Sequence, residues 1–330
     1  ISFKKNGEII SVGEEGYIKE INEFPPPAFE MLPTEKYKSA IGSGKTAGTI
    51  ATSRGCPYQC KFCDHPYRTY RAYSTERILS EINYFYIRGI KEFVFFDDMF
   101  NITPKRVIEL SAAMLKVFPD IAWSFRGRAD QVTEEMILIA KKAGCNQMMF
   151  GIEAANDEDL KSIKKNITIK QLVDTLVLCK KHGIETSTNW IIGLPCHKSR
   201  KDILDLLNFT IKCGTDYVQF NILVPFSGTE IYAEGVKKNI LDPDFWKRYV
   251  LNPQPNSYSP VWDEYLTRDE LSELLKTCYR KFYLRPVKIM DHLFRVKSFS
   301  HLKEKARGAL VVMGVLGFKR HKAPTIERLD

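Results

Sequence analysis

Several architectures are excluded by what this 330-residue chain lacks. It has no run of about 18 or more apolar residues, so no transmembrane helix is expected. The opening stretch ISFKKNGEII has neither an initiator Met nor the charged-then-apolar pattern of an export signal, and the chain reads as part of a longer protein. No unit repeats at a fixed period and no segment is low in complexity. A disulfide framework is missing too. That pattern belongs to short secreted chains, whereas five of the eight cysteines here (Cys145, Cys179, Cys196, Cys213 and Cys278) stand singly along apolar segments and read as small buried hydrophobes. A reducing cytoplasm is the expected compartment, so the N-x-S/T matches at Asn101, Asn166 and Asn208 carry no glycosylation meaning.

With 44% hydrophobic and 12% aromatic residues, the chain has enough apolar material for a large folded domain. Its net charge of +9 is confined to one region: residues 280–330 hold 13 lysines and arginines against four acidic residues, so the rest balances to zero. A solvated basic face is the simpler account, and an anionic membrane surface or nucleic acid the alternative partner.

Between residues 46 and 224, β-type runs alternate with helical patterns. Strands are expected at 48–53, 92–98, 121–126, 146–154, 185–193 and 216–224. Helices are expected at 74–89, capped by Ser74 or Thr75, at 104–118 with Pro104 in the first turn, and at 133–144, 168–183 and 199–213. Gly144 and Gly183 close two of them. Six β-α steps with strands buried on both sides predict a parallel sheet closed as a partial (β/α)6 TIM-type barrel over 46–235. Residues 1–45 read as a hairpin at Asn6-Gly7 and a proline-rich linker. Residues 236–330 form a Pro- and Asn-rich covering segment and then a basic helical extension over 267–300, interrupted at Pro286.

Catalytic groups of such barrels sit at the C-terminal ends of strands. Strand one is followed there by Cys56, Cys60 and Cys63, spaced C-x3-C-x2-C within SRGCPYQCKFCDHP. Strand two ends in Asp97-Asp98, strand three in Arg126 and Arg128, strand four in Glu153, strand five in GLPCHKS and strand six in PFSGTEIY. The aspartates suit either a cofactor or turn amides. The arginines suit a bidentate carboxylate or an ion pair with Asp130 or Glu153. Asn189 and Trp190 alternate in direction, so at most one faces the interior. Cys196 and His197 fit a substrate-facing position or a plain surface turn.

Three thiolates in one loop point to zinc or an iron–sulfur cluster. Structural zinc takes four protein ligands, and the second C-x2-C is missing; His65 is the one fourth ligand the loop offers. A four-iron cluster on three cysteines instead keeps one iron open for an outside ligand. Two other motifs lead nowhere. GSGKT at 42–46 lacks the first glycine of a phosphate loop and precedes a strand rather than following one. ALVVMGVLGFKRHK at 309–322 is too short to span a bilayer, leaving a shallow interfacial contact or a hydrophobic substrate mouth.

The cysteine loop with Phe62 just before its last thiol, followed by FVFFDDMF, GRAD…GCNQMMFGIEA, NWIIGLP and VPFSGTEIY, resembles the radical S-adenosylmethionine (SAM) enzymes over residues 48–232. The resemblance implies a [4Fe–4S] cluster on Cys56, Cys60 and Cys63, with SAM chelating the open iron and Phe62 beside its adenine. Asp98, Arg128, Glu153 and Asn189 are the further cofactor-binding candidates. It implies reductive cleavage of SAM to methionine and a 5′-deoxyadenosyl radical that abstracts hydrogen from an unactivated carbon, with a one-electron donor such as flavodoxin or ferredoxin. The start of the chain resembles the join to a cobalamin-binding domain in the methyltransferase and protoporphyrin-ester cyclase subgroup, though the D-x-H-x-x-G cobalamin motif is not in this chain. Cobalamin would then come from an upstream domain, and methylation of a small, hydrophobic substrate is the expected outcome. A cobalamin-independent cyclase or sulfur-inserting enzyme is the alternative, and a zinc-bound basic nucleic-acid adaptor the non-enzymatic one. One departure stands out: GLPCHKS replaces the usual G-x-P-G-E-T after strand five.

Overall fold

Six strands lie side by side in chain order, all parallel. They are β1 (Ala47–Ile50), β2 (Glu92–Phe95), β3 (Ala122–Gly127), β4 (Cys145–Glu153), β5 (Glu185–Ile192) and β6 (Tyr217–Ile222). The computed structural model describes residues 2–11, 18–37, 46–65, 68–252 and 258–294, with residues 296, 302, 306 and 310. Most of GSGKT, and nearly all of the basic segment beyond 294 including 309–322, fall outside the described residues.

Helices cover one face of this arc. They are α1 (Thr75–Tyr86), α2 (Pro104–Val117), α3 (Glu134–Lys142), α5 (Ile169–Lys181) and α6 (Arg200–Lys212), while the short α4 (Asp157–Ser162) packs through Leu160 on a second cluster at the strand ends. The expected start signals are in place. Ser74 and Thr103 each accept from the backbone N–H three residues on, and Thr168 forms a capping box with Gln171. Gly144 ends the third β-α unit with φ +93°, and a Cβ there would sit 2.0 Å from the Ile121 carbonyl oxygen.

Alternation along the strands sorts the side chains. Phe93, Phe95, Trp123, Phe125, Met148, Phe150 and Trp190 are buried against the helices in one aromatic-rich core. The opposite, concave face carries Thr49, Phe96, Arg126, Asn189, Gln219 and Asn221, and several of these are open to solvent. Burial on both strand faces, expected from the sequence, holds in part on the concave face, where Ser124, Gln147, Ser187 and Ile191 are buried, and throughout on the helix side. A packed layer is formed there, and a partial barrel with a polar lumen is left inside.

Three helices were not expected: α4, α7 (Glu230–Lys237) and α8 (Phe245–Leu251), the last within the Pro- and Asn-rich covering segment. The extension forms α9 (Arg268–Tyr283) and α10 (Pro286–Phe294), broken where Pro286 predicts. Two α9 hydroxyls close the sheet edge. Tyr283 Oη accepts from the Val218 N–H and donates to its carbonyl, both at 2.9 Å, and Tyr279 Oη does the same at Phe220, at 3.1 and 3.0 Å. At the N-terminus the hairpin turns at Asn6-Gly7 as expected. The proline-rich stretch after it is fastened to the barrel: Phe29 is buried against Tyr84 and Phe85, with ring centroids 5.3 and 4.7 Å away.

Candidate active site at the strand ends

The cysteine loop leaves β1 and is braced at its root by the end of β2. Buried Asp97 accepts from the Thr52 N–H at 2.6 Å, Thr52 Oγ1 at 2.5 Å and Ser53 Oγ at 2.6 Å. Burial pushes this carboxyl up, and those hydrogen bonds pull against the shift. Asp98 Oδ2 accepts from the Gly55 N–H at 3.0 Å and lies 3.4 Å from His65 Nε2. Both aspartates thus serve the loop's own backbone and side chains.

The middle of the loop is held from the other side of the barrel. The Lys61 N–H donates to the Ile163 carbonyl and the Lys61 carbonyl accepts from the Ile231 N–H, at 3.0 and 3.1 Å. Lys61 Nζ lies 2.6 Å from Glu234, and that hydrogen bond holds the ammonium pKa up. Tyr58, between the first two cysteines, lies flat under the Arg128 guanidinium at 3.7 Å. Arg128 is itself buried: its fork grips Asp130 at 2.9 and 3.1 Å and it donates to the Asn166 carbonyl. The ion pair with Asp130 is therefore the alternative realised for Arg128.

Cys56, Cys60 and Cys63 are free and partly buried. Burial raises the Cys56 and Cys63 thiol pKa values, and negative charge on Cys60 raises both further. Such mutually opposed thiolates are relieved by a shared cationic centre. The loop supplies three such thiols and is anchored from both sides, which suits a metal group held at its centre.

Glu153 ends β4 at a register irregularity with φ +78°, which is strained for a side-chain-bearing residue. Its Oε1 pairs with Lys165 Nζ at 3.1 Å, and both side chains are about 10% exposed. Burial disfavours the lysine charge, but Glu153 and Cys60 outweigh it and leave the Lys165 pKa raised. Gly151 makes the room, since a Cβ there would stand 2.6 Å from Glu153 Oε1. Phe62 packs on a second apolar cluster that includes Ala154, Ile191, Leu194 and Leu223 at the ends of β4 to β6, with Lys165 Nζ 5.9 Å from its ring centre. Trp190 turns into the helix-side core beside Phe209, so Asn189 is the residue on the concave face. Arg126 lies on that face also, 5.3 Å from the centre of the Phe96 ring.

Cys196 and His197 are not a plain surface turn. His197 is buried, and its Nδ1 accepts from the Gly193 and Leu194 N–H groups at 3.1 and 3.3 Å. Burial lowers its pKa, keeping the ring neutral. Burial, with a hydrogen bond to Asp159, pushes the Cys196 thiol up to about 12. Asp159, Cys196 and His197 converge closely enough to share an ion. However, Nδ1 accepts, so the neutral ring carries its proton on Nε2, and that nitrogen has no lone pair for a metal.

Sequence reasoning passed over Lys165, Tyr58 and the two helices that hold the loop. Lys165 sits in the unremarkable run SIKKNIT, and its role depends on a partner twelve residues away across a strained strand end.

The Radical SAM superfamily profile matches residues 50–210. An uncharacterized methyltransferase of Pyrococcus horikoshii is 32% identical over 94% of this chain and 67% of its own length. The chain belongs to the radical SAM superfamily. An anaerobic magnesium-protoporphyrin IX monomethyl ester cyclase of Rubrivivax gelatinosus is 24% identical over 96% of the chain and 55% of its own length. The chain thus spans roughly half to two thirds of these relatives. Among solved structures, the cobalamin-dependent SAM radical enzyme OxsB with aqua-cobalamin bound shares the fold at a TM-score of 0.53 and 23% identity, over 85% of this chain and 41% of that one. The radical SAM family implies a [4Fe–4S] cluster and SAM, and the three half-buried, mutually repelling thiols of one doubly anchored loop fit the cluster. Among the described residues, no helix is long and apolar enough to cross a membrane.

Proposed function

We propose that this chain is the radical-generating barrel of a cobalamin-dependent methyltransferase acting on an unactivated carbon. The observation that carries it is the loop of Cys56, Cys60 and Cys63, three half-buried thiols whose charges oppose one another on a segment held from two sides at Lys61. A cluster bound there would supply one electron to the sulfonium of SAM and release methionine and the 5′-deoxyadenosyl radical. The chain's own residues set the frame. Cys56, Cys60 and Cys63 would hold the cluster, and SAM would bind to it beside them. Phe62 and the apolar cluster around Ile191 and Leu194 give a dry, flat wall for adenine. Lys165 fixes the Glu153 carboxylate through Oε1 at the end of the fourth strand, where it would answer a ribose hydroxyl or amino group. Asn189 faces the lumen beyond.

Cobalamin would come from a domain outside this chain; the OxsB likeness and the similarity to methyltransferases support it. An electron donor of the flavodoxin or ferredoxin type, a small hydrophobic substrate, a contact of 280–330 with a membrane surface, and a cytoplasmic location complete the proposal. Nucleic acid has no part in it. A cyclase reaction on the same cofactors is the second reading, favoured by the match to the protoporphyrin-ester cyclase across 96% of the chain.

Anaerobic reconstitution followed by reduction with SAM tests the proposal. A cluster spectrum lost in Cys60→Ala, together with 5′-deoxyadenosine, is the expected result. Full iron content in that variant, or no 5′-deoxyadenosine from the wild type, overturns it. Cobalamin bound to the full-length protein and methyl transfer then separate methylation from cyclisation.

A further inference from the structure

Arg126 is the cation on the concave face that no carboxylate answers. Its Nε is buried without a hydrogen-bond partner, and among the described residues it makes no ion pair. Its neighbours on that face, Val94, Phe96, Ser124, Met149 and Ser187, carry no charge. Arg128, next above it on the same strand face, is already committed to Asp130. On the adjacent strand, Gln147 pairs in register with Ser124 one row below; it is 6% exposed, and its Nε2 also lacks a partner. Two unanswered donors on one concave surface are uncommon, because buried polar groups are normally satisfied. Beside them stands Phe96, an aromatic ring 58% exposed with the guanidinium 5.3 Å from its centre.

We infer that Arg126 and Gln147 form an anion subsite in the barrel lumen, with Phe96 as its stacking wall, for the carboxylate or phosphate of a flat ligand. This deepens the radical SAM reading, for which the lumen is where the substrate lies. A guanidinium fork matches a carboxylate or phosphate with two parallel hydrogen bonds, and the amide supplies a third donor. Two sources offer a carboxylate: the substrate and the methionine part of SAM.

Ligand-observed NMR titration of the cluster-loaded protein with benzoate and with benzamide, matched in shape but not charge, reads the subsite. Benzoate is expected to bind at least about 10-fold more tightly than benzamide, and the ratio to fall to about one in Arg126→Gln. In Gln147→Glu a carboxylate placed in the subsite answers Arg126 internally, and the ratio should fall there too, which guards against misfolding of the first variant. Loss of SAM binding in Arg126→Gln assigns the anion to SAM; retained SAM binding assigns it to the substrate. Equal binding of the two probes by the wild type, or a ratio that survives both variants, overturns the subsite. Cluster content and 5′-deoxyadenosine, measured on the same wild-type sample, report separately on the radical SAM reading.

Discussion

The Arg128 guanidinium lies 3.7 Å from the centre of the Tyr58 ring, joining the third strand end to the cysteine loop across 70 residues of sequence. The stack needs a planar cation whose fork is already fixed, and Asp130 fixes it. Arg128→Lys keeps the charge but loses both fork and stack. We expect a loss of about 1–3 kcal/mol in denaturant unfolding and faster loss of iron from the loaded protein. Tyr58→Phe, which keeps the ring, should hold iron like the wild type, and Tyr58→Leu should not.

Glu153 and Lys165 form a buried pair, and removing one partner strands the other. Glu153→Gln is expected to cost about 3 kcal/mol or more of stability. The double variant Glu153→Gln/Lys165→Met should recover much of that loss, because the uncompensated charge is gone. A double variant no more stable than the single one would show that the pair is not coupled as described.

His197 stands in the GLPCHKS turn after the fifth strand, and its Nδ1 accepts from the Gly193 and Leu194 N–H groups only while the ring is neutral. Burial sets its folded pKa below the unfolded value, so the folded state binds fewer protons than the unfolded one. That contribution is complete above the unfolded pKa of about 6.5 and is lost as pH falls from there through the lower folded value. Thermal unfolding between pH 7.5 and 5 (about neutral to mildly acidic) should therefore show a fall in Tm. In His197→Gln, whose side-chain oxygen also accepts but does not titrate, the slope should be shallower.

Tyr283 gives the opposite sign. Burial pushes its phenol up to about 12, so its protonated form is favoured by folding. The stabilisation is whole below the unfolded pKa of about 10 and lost as pH rises from there toward 12, on the order of 2 kcal/mol. Tyr283→Phe should flatten that alkaline limb. It also leaves the Val218 N–H and C=O without their partner, lowering neutral stability by about 1–2 kcal/mol.

Much of this was legible in the sequence. The six strands, five of the covering helices and the break at Pro286 follow from periodicity and end signals, which are local. The three cysteines were legible because their spacing is local too. What escaped is short or distant. The helix at 157–162 and the one at 230–237 are too brief to show a convincing apolar stripe. Yet they and their flanks hold Lys61 through Ile163, Ile231 and Glu234, the last 173 positions away. The concave strand face was legible only in part: Ser124, Gln147, Ser187 and Ile191 are buried on it, but Phe96 is open, and a local pattern does not show which positions the lumen exposes. The GLPCHKS departure stood out without an explanation, since a sequence does not show that the His197 ring folds back onto the Gly193 and Leu194 amides.

The tyrosine hydroxyls on the last strand carry a consequence for how this barrel can meet other chains. An open sheet edge is a template onto which a foreign strand can zip, in assembly or in aggregation. Here Val218 and Phe220 already have their backbone groups taken by Tyr283 and Tyr279. A further domain cannot lengthen the ladder from those positions; it has to dock on side chains, and this edge is blunted from within.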